Sequence, residues 1–387
     1  MQYRRFGRTE IAMPVLTCGG MRYQHSWKDL QRTPRASQDN VAACVRRALE
    51  LGINHIETAR GYGTSERELG KVLPCLPRDS IIVQTKVPPF RTAAEFRRTF
   101  ETSLERLCLH HVDLLAIHGI NNFELLDWSL GAGGCHDEAQ RLVAEGAARH
   151  IGFSTHAPLE VILAAIDSGR FDYVNLHWYF VNQRNWPAIE RARRHDMGVF
   201  IISPNDKGGK LYRPPPRLRQ ATAPLSPMVF NDLFCLARQE VHTISLGVAR
   251  PSDFDEHIQA LALLDEDVTA LLAPIVERLR REIHDRVGID YCTFCHSCLP
   301  CPEEVNIPEI LRLRNLDAAL DLRDFGRMRY NLLGNADHWF PGRNSAGCTE
   351  CGDCLPRCPE NLRIVELLRD AHRRLHGAAR RRLSRSS

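Results

Sequence analysis

The sequence predicts an α/β chain: a (β/α)8 TIM barrel of eight parallel strands, followed by a small, mostly helical domain built around cysteines. Three observations carry this expectation. Short Val/Ile/Leu runs alternate with amphipathic helical patterns eight times, as buried parallel strands and their crossover helices should. The stretch they occupy, about 265 residues, suits a closed barrel at its usual size of roughly 250. Eight of the 14 cysteines crowd into Cys292 to Cys358. A doubly wound open sheet is the competitor, and it is disfavoured because no Gly-x-Gly-x-x-Gly follows the first strand.

The elements follow in order. Tyr3 to Phe6 and Glu10 to Met13 flank a Gly7-Arg8 turn signal and read as an opening hairpin. Strands are expected at Val15 to Thr17, Ile53 to Ile56, Ile81 to Thr85, Val112 to Ile117, Ile151 to Phe153, Tyr173 to Leu176, Val199 to Ile202 and Thr243 to Leu246. The helices between them start or stop at local signals, such as Gly52 closing Asn40 to Leu51. Two long connections, Asn121 to Cys135 and Asp206 to Pro227, read as loops. The barrel is therefore assigned to residues 1–267, a linker helix to 268–290 and the cysteine domain to 291–375. A basic tail, expected to be solvated, fills 376–387.

Composition narrows the function. The 387 residues can hold one large domain and a smaller one, and the 43% hydrophobic and 25% charged fractions are those of a soluble globular protein. A net charge of +4 implies neither nucleic acid nor membrane as a partner. The start, Met-Gln-Tyr-Arg-Arg-Phe-Gly-Arg, lacks an apolar signal core, and no apolar run could span a bilayer, so a cytoplasmic protein is expected.

The strand ends carry the chemistry. Ile53 to Ile56 delivers Glu57 and then Tyr62, the next strand delivers Lys86, and the one after it His118. In a parallel barrel these ends share one mouth. A free tyrosine, with a pKa of about 10, is a poor acid near neutrality. A nearby ammonium favours the phenolate, a carboxylate keeps that ammonium charged, and a histidine can orient a carbonyl oxygen gaining charge. A lone Glu-Lys pair is more often structural, but four complementary groups on consecutive strands form a proton-transfer set.

Ile-Glu-Thr-Ala-x-x-Tyr-Gly with Ser65-Glu66, Gln-Thr-Lys86, Asp113-Leu-Leu-Ala-Ile-His118, Arg149-His-Ile-Gly-Phe-Ser-Thr155 and Ile202-Ser-Pro204 together resemble the aldo-keto reductase superfamily over residues 1 to about 265. The resemblance implies a barrel that binds NADP(H), with NAD as the other candidate, and passes hydride to a carbonyl carbon. Tyr62 would protonate the oxygen, Lys86 would lower its pKa and His118 would orient the substrate. Ser154, Thr155 and Asn175 would hold the nicotinamide carboxamide, and Ser203 to Leu211 would cradle the pyrophosphate. Gly247 to His257 lies where the adenosine is gripped, with Arg250 the candidate for the 2′-phosphate and Glu256 for the adenine. The chain departs from the family pattern at Glu57, usually aspartate, at Ile202, usually aromatic, and at His156, usually phenylalanine.

The cysteines come in two runs: Cys292, Cys295, Cys298, Cys301-Pro302, and Cys348, Cys351, Cys354, Cys358-Pro359. The second matches the bacterial ferredoxin spacing for a [4Fe-4S] cluster, and the first is one residue shorter before its last cysteine. Zinc is the alternative for paired Cys-x2-Cys units. In two-cluster ferredoxin-like folds the fourth cysteine serves the other cluster. That groups Cys292, Cys295 and Cys298 with Cys358, and Cys348, Cys351 and Cys354 with Cys301. A subset of aldo-keto reductases carries such an extension, and this chain resembles it throughout.

The expectation is thus an NAD(P)H-dependent oxidoreductase of a carbonyl or alcohol group with two [4Fe-4S] clusters. These either staple a thin domain or exchange electrons with a donor or acceptor protein. The alternative is an electron-transfer or redox-sensing protein whose barrel binds nucleotide with little turnover.

Overall fold

The computed structural model describes residues 1–264 and 267–378. Of the expected tail, residues 379–387 lie outside the described residues. Two compact units emerge among them: residues 1–208 with 231–264, and residues 209–230 with 267–378. Among the described residues no helix is long and apolar enough to cross a membrane.

In the first unit, β1 (Tyr3–Arg5) and β2 (Ala12–Pro14) form an antiparallel hairpin. Eight parallel strands follow: β3 (Leu16–Gly19), β4 (His55–Glu57), β5 (Ile82–Val87), β6 (Val112–His118), β7 (Ala148–Ser154), β8 (Tyr173–Leu176), β9 (Gly198–Ile201) and β10 (Thr243–Leu246). They pair in sequence order, and β10 closes onto β3 with Ile244 opposite Leu16. Their β-branched and aliphatic side chains are buried on both faces, which is why they read as runs and not as alternations. Phe6 from the hairpin reaches the strand starts; a Cβ at Gly198 would lie 2.6 Å from its ring. The hairpin thus seals the N-terminal end of the barrel and leaves chemistry to the C-terminal end.

Two expected loops contain helices. Phe123–Leu130 is helical within Asn121 to Cys135 because Asn122 caps it, its side chain accepting from Leu125 N at 2.8 Å; the glycines begin only at Gly131. Asp206 to Pro227 holds helix Pro216–Thr222, and residues 209–230 group with the second unit.

The second unit packs helices Val268–Val287, Ile307–Leu320, Arg323–Tyr330 and Ile364–Leu375. Leu272, Ile275, Leu279, Leu313, Leu367 and Leu375 are among its buried apolar residues. The helical middle breaks at Asp321, which takes a left-handed φ of 57°. Asp370 accepts from Arg314 and Arg374, each at 2.8 Å, tying the first and last of the later helices together.

Candidate active site and cysteine-lined cavities

Glu57 ends β4, Lys86 sits next to the end of β5 and His118 ends β6, so strand register alone brings them to one mouth. Tyr62 arrives on the turn after β4. Lys86 is completely buried, and its ammonium is fully used: it donates to Glu57 Oε1, to Thr58 O at 2.8 Å and to Tyr62 Oη at 3.3 Å. Tyr62 Oη also lies 3.3 Å from Glu57 Oε1. The His118 ring stands edge-on to the phenol at 5.8 Å between centroids. Burial pulls the pKa of Lys86 below its ordinary value, and the Glu57 charge is the chief influence opposing that.

The extra methylene of Glu57 has a visible accommodation. Its second oxygen, Oε2, accepts from Ser245 Oγ on β10 at 3.1 Å. Gly19 on β3 leaves the room: a Cβ there would come within 2.5 Å of Ser245 Oγ and 3.3 Å of Glu57 Oε2. Ser245 is a site residue that sequence reasoning missed. Its only signal was its position one residue before the end of an expected strand.

The residues assigned to the cofactor divide into two sorts. Asn175, fully buried on β8, has both side-chain amide atoms without a hydrogen-bond partner among the described residues. A buried amide with an open donor and an open acceptor fits a carboxamide ligand, which supplies the reciprocal pair. Ser154 and Thr155 are already engaged: Ser154 Oγ accepts from Gly119 N at 3.1 Å, and Thr155 Oγ1 donates to Ile120 O at 2.7 Å. Ser203 takes a left-handed φ of 55° as the chain turns out of β9. Beyond it, Asn205 Nδ2 donates to His257 Nε2 at 3.0 Å, and His257 Nδ1 donates to Asp232.

Gly247 O accepts from Arg22. Arg250, its side chain 74% exposed, pairs with Asp253 at 3.1 Å, and Glu256 is half-buried on the following helix. Ile202 presents no ring; its carbonyl accepts from Tyr179 Oη. Sequence reasoning also missed a cluster at this mouth, where Lys207 Nζ donates to His177 Nε2 at 2.8 Å and to His156 Nε2 at 3.1 Å.

In the second unit the cysteines line two cavities. Cys301, Cys348, Cys351 and Cys354 surround one, with Ile307 and Leu368. Cys292, Cys295, Cys298 and Cys358 surround the other, with Leu311 and Ile364. All eight thiols are free of disulfides. Among the described residues no three such side chains gather tightly enough for a single metal ion. The two runs share one backbone path. Phe294 and His296 take left-handed φ of 64° and 65°, and Glu350 and Gly352, at the equivalent places, 61° and 84°. Leu299 N donates to His296 O at 3.0 Å, and Leu355 N to Gly352 O at 2.9 Å. Left-handed residues at these points turn successive thiols toward a common centre.

Comparison with known proteins agrees with both halves. The Aldo/keto reductase family profile matches residues 15–211, and a 4Fe-4S dicluster domain profile matches residues 291–362. The chain is 28% identical to L-galactose dehydrogenase of Arabidopsis thaliana over 278 residues, 62% of this chain and 86% of that protein. Among solved structures, aldo-keto reductase AKR11C1 of Bacillus halodurans superposes with a TM-score of 0.61 at 20% identity, covering 72% of this chain and 96% of that one. An aldo-keto reductase from Klebsiella pneumoniae, solved in complex with NADPH, superposes with a TM-score of 0.58 at 18% identity, covering 71% and 94%. The solved structures speak for the barrel, and the profile, which spans half of the sequence, speaks for descent: the chain belongs to the aldo/keto reductase family of oxidoreductases.

Proposed function

We propose that the barrel uses NADP(H), or NAD(H), to interconvert a carbonyl and an alcohol, with Tyr62 as the proton donor. One observation carries this reading: a fully buried ammonium, Lys86, bridges Glu57 and the phenol oxygen of Tyr62 at the barrel mouth. Bound nicotinamide supplies the hydride. The chain's own residues do the rest. Lys86 stabilises the phenolate that remains once Tyr62 has given up its proton, and Glu57 keeps Lys86 charged in a site where burial opposes that charge. His118, beside the phenol, holds the carbonyl oxygen in line with that proton. Asn175, with Ser154 and Thr155 around it, receives the carboxamide; Ser203, Gly247, Arg250 and Glu256 are assigned to the remainder of the dinucleotide. For the substrate, the name of the Arabidopsis thaliana relative adds aldoses and their alcohols to the carbonyl panel to be tested.

For the second unit we infer two [4Fe-4S] clusters, one in each cysteine-lined cavity, with Cys358 and Cys301 exchanged between the runs. Four thiolates and an apolar wall per cavity suit iron-sulfur ligation, and a four-iron cluster spreads its thiolates wider than one zinc ion does. The clusters would add one-electron capacity and a covalent staple to a small domain. Iron and acid-labile sulfide measured on anaerobically purified protein test this directly; zinc without sulfide sinks it.

The test of the barrel is Tyr62→Phe. Loss of a positioned proton donor costs about 10²- to 10⁴-fold in turnover, read as NADPH oxidation with the carbonyl panel. A variant as active as the parent would reduce the Glu57-Lys86 pair to a structural ion pair.

A further inference from the structure

Residues 20–34 carry almost no regular secondary structure, yet part of this stretch is fastened to the turn that bears Tyr62. Thr64 N donates to Ser26 O at 3.0 Å, Ser26 N donates to Thr64 Oγ1 at 3.1 Å, and His25 N donates to Glu68 Oε2 at 2.9 Å. Gly63, at a φ of 54°, permits the approach, since a Cβ there would fall 1.9 Å from Ser26 O and 2.7 Å from Trp27 Cα. Three residues on, Asp29 gathers three guanidinium groups. Arg106 donates to it at 2.6 Å, Arg67 at 3.2 Å and Arg60 at 3.4 Å. Arg60 belongs to the turn between Glu57 and Tyr62, Arg67 to helix Ser65–Leu69 and Arg106 to helix Ala93–Leu107. Three like charges repel one another, and the Asp29 carboxylate, pairing with all three, turns that repulsion into an anchor.

Trp27 stands between the two fastenings. Its ring lies edge-on to Tyr62, with 6.3 Å between centroids, and 37% of the residue is exposed. A large aromatic surface fixed beside the reacting phenol and open to solvent is built to be covered. We propose that Trp27 is a specificity-determining wall of the substrate pocket, selecting carbonyl compounds with a flat apolar flank, and that Asp29 is the positioning residue that holds it there. This rests on the reading of Tyr62 as proton donor.

The test compares 4-nitrobenzaldehyde with glyceraldehyde as substrates, NADPH being the reductant. Trp27→Ala raises KM for the aryl aldehyde about three- to tenfold more than for glyceraldehyde, the size of one lost aromatic contact, whereas Trp27→Phe keeps most of the preference. Asp29→Asn reproduces the KM effect and accelerates backbone hydrogen exchange over residues 21–34; Asp29→Glu restores both. Equal KM changes for the two aldehydes, or none, overturn the proposal. Binding gives a second readout that needs no turnover: 4-nitrobenzaldehyde quenches tryptophan fluorescence in the parent and much less in Trp27→Phe. A quench that survives Trp27→Phe overturns the proposal as well. Tyr62→Phe separates the two ideas, because an active Tyr62→Phe enzyme removes the proton-donor reading while the Trp27 comparison still stands on the quench.

Discussion

The barrel mouth and the cysteine cavities solve the same problem, bringing reactive side chains together, in opposite ways. At the mouth, Glu57, Lys86 and His118 are neighbours because β4, β5 and β6 are neighbours, and the charges of Glu57 and Lys86 are matched by one another before any ligand arrives. The cavities are made by loops whose left-handed residues curl eight thiols inward, and the thiols have one another only as spaced neighbours. The first site is stabilised by its own contacts. The second, on the proposed reading, would be completed by the clusters it binds, as small metallo-domains are.

Removing Lys86 breaks the first half of this contrast most severely. In Lys86→Met the apolar stem remains, but Glu57, only 2% exposed, becomes an unpaired buried carboxylate. Loss of one partner of a buried pair costs about 3–5 kcal/mol in stability, and loss of an electrostatic stabiliser of the reacting group costs about 10²- to 10³-fold in turnover. Denaturant unfolding and NADPH oxidation on the same preparation measure both. A stable, inactive variant would show that the site's charges serve catalysis alone.

Acid should reach the barrel by a different route. His55 lies inside the barrel, where Thr17 Oγ1 meets its Nδ1 at 2.8 Å. Burial, reinforced by the Lys86 charge, pushes its pKa from 6.5 down to about 3. Burial likewise pushes His242 down to about 4, and its neutral Nδ1 accepts from Val199 N. The unfolded chain binds these protons near pH 6.5 and the folded chain does not. The stability is therefore fully present above about pH 6.5 and is lost progressively as pH falls toward 3 to 4, by on the order of a few kcal/mol. Urea unfolding followed by tryptophan fluorescence at stepped pH reads it, since Trp27, Trp128, Trp178 and Trp186 all lie in the barrel unit. His242→Gln should make the slope shallower. A slope that does not change would move the acid sensitivity elsewhere.

What the sequence displayed and what it hid follow the same division. A strand ending in a polar residue is a local signal, so Glu57, Lys86 and His118 could be placed at one mouth from three separate runs. Ser245 and Gly19 could not, because their bearing on Glu57 arises only where β10 closes onto β3, and closure leaves no mark in either run. Asp29 was equally silent: its partners Arg60, Arg67 and Arg106 come from three different elements. Helix Phe123–Leu130 went unread because the glycines after it dominated the stretch. In the second unit the spacing of the cysteines was plain, but the left-handed conformations of Phe294 and His296 were not, since neither is glycine. Their likeness to Glu350 and Gly352 is a repeat of backbone, not of side chain.

That repeat makes the crossing of Cys358 and Cys301 the finest test of the comparison. If each cavity is one cluster, Cys298→Ser and Cys358→Ser damage the same one although they lie 60 residues apart in sequence. Each alone should lose about half of the iron, and the double variant should lose no more than either single, the non-additivity expected of residues that act as one unit. Cys301→Ser should instead pair with Cys354→Ser. Iron content and the electron paramagnetic resonance of the dithionite-reduced protein distinguish these outcomes. Should Cys358→Ser behave like Cys354→Ser, each run would keep its own cluster, and the two cavities would be partitioned by sequence rather than by the fold.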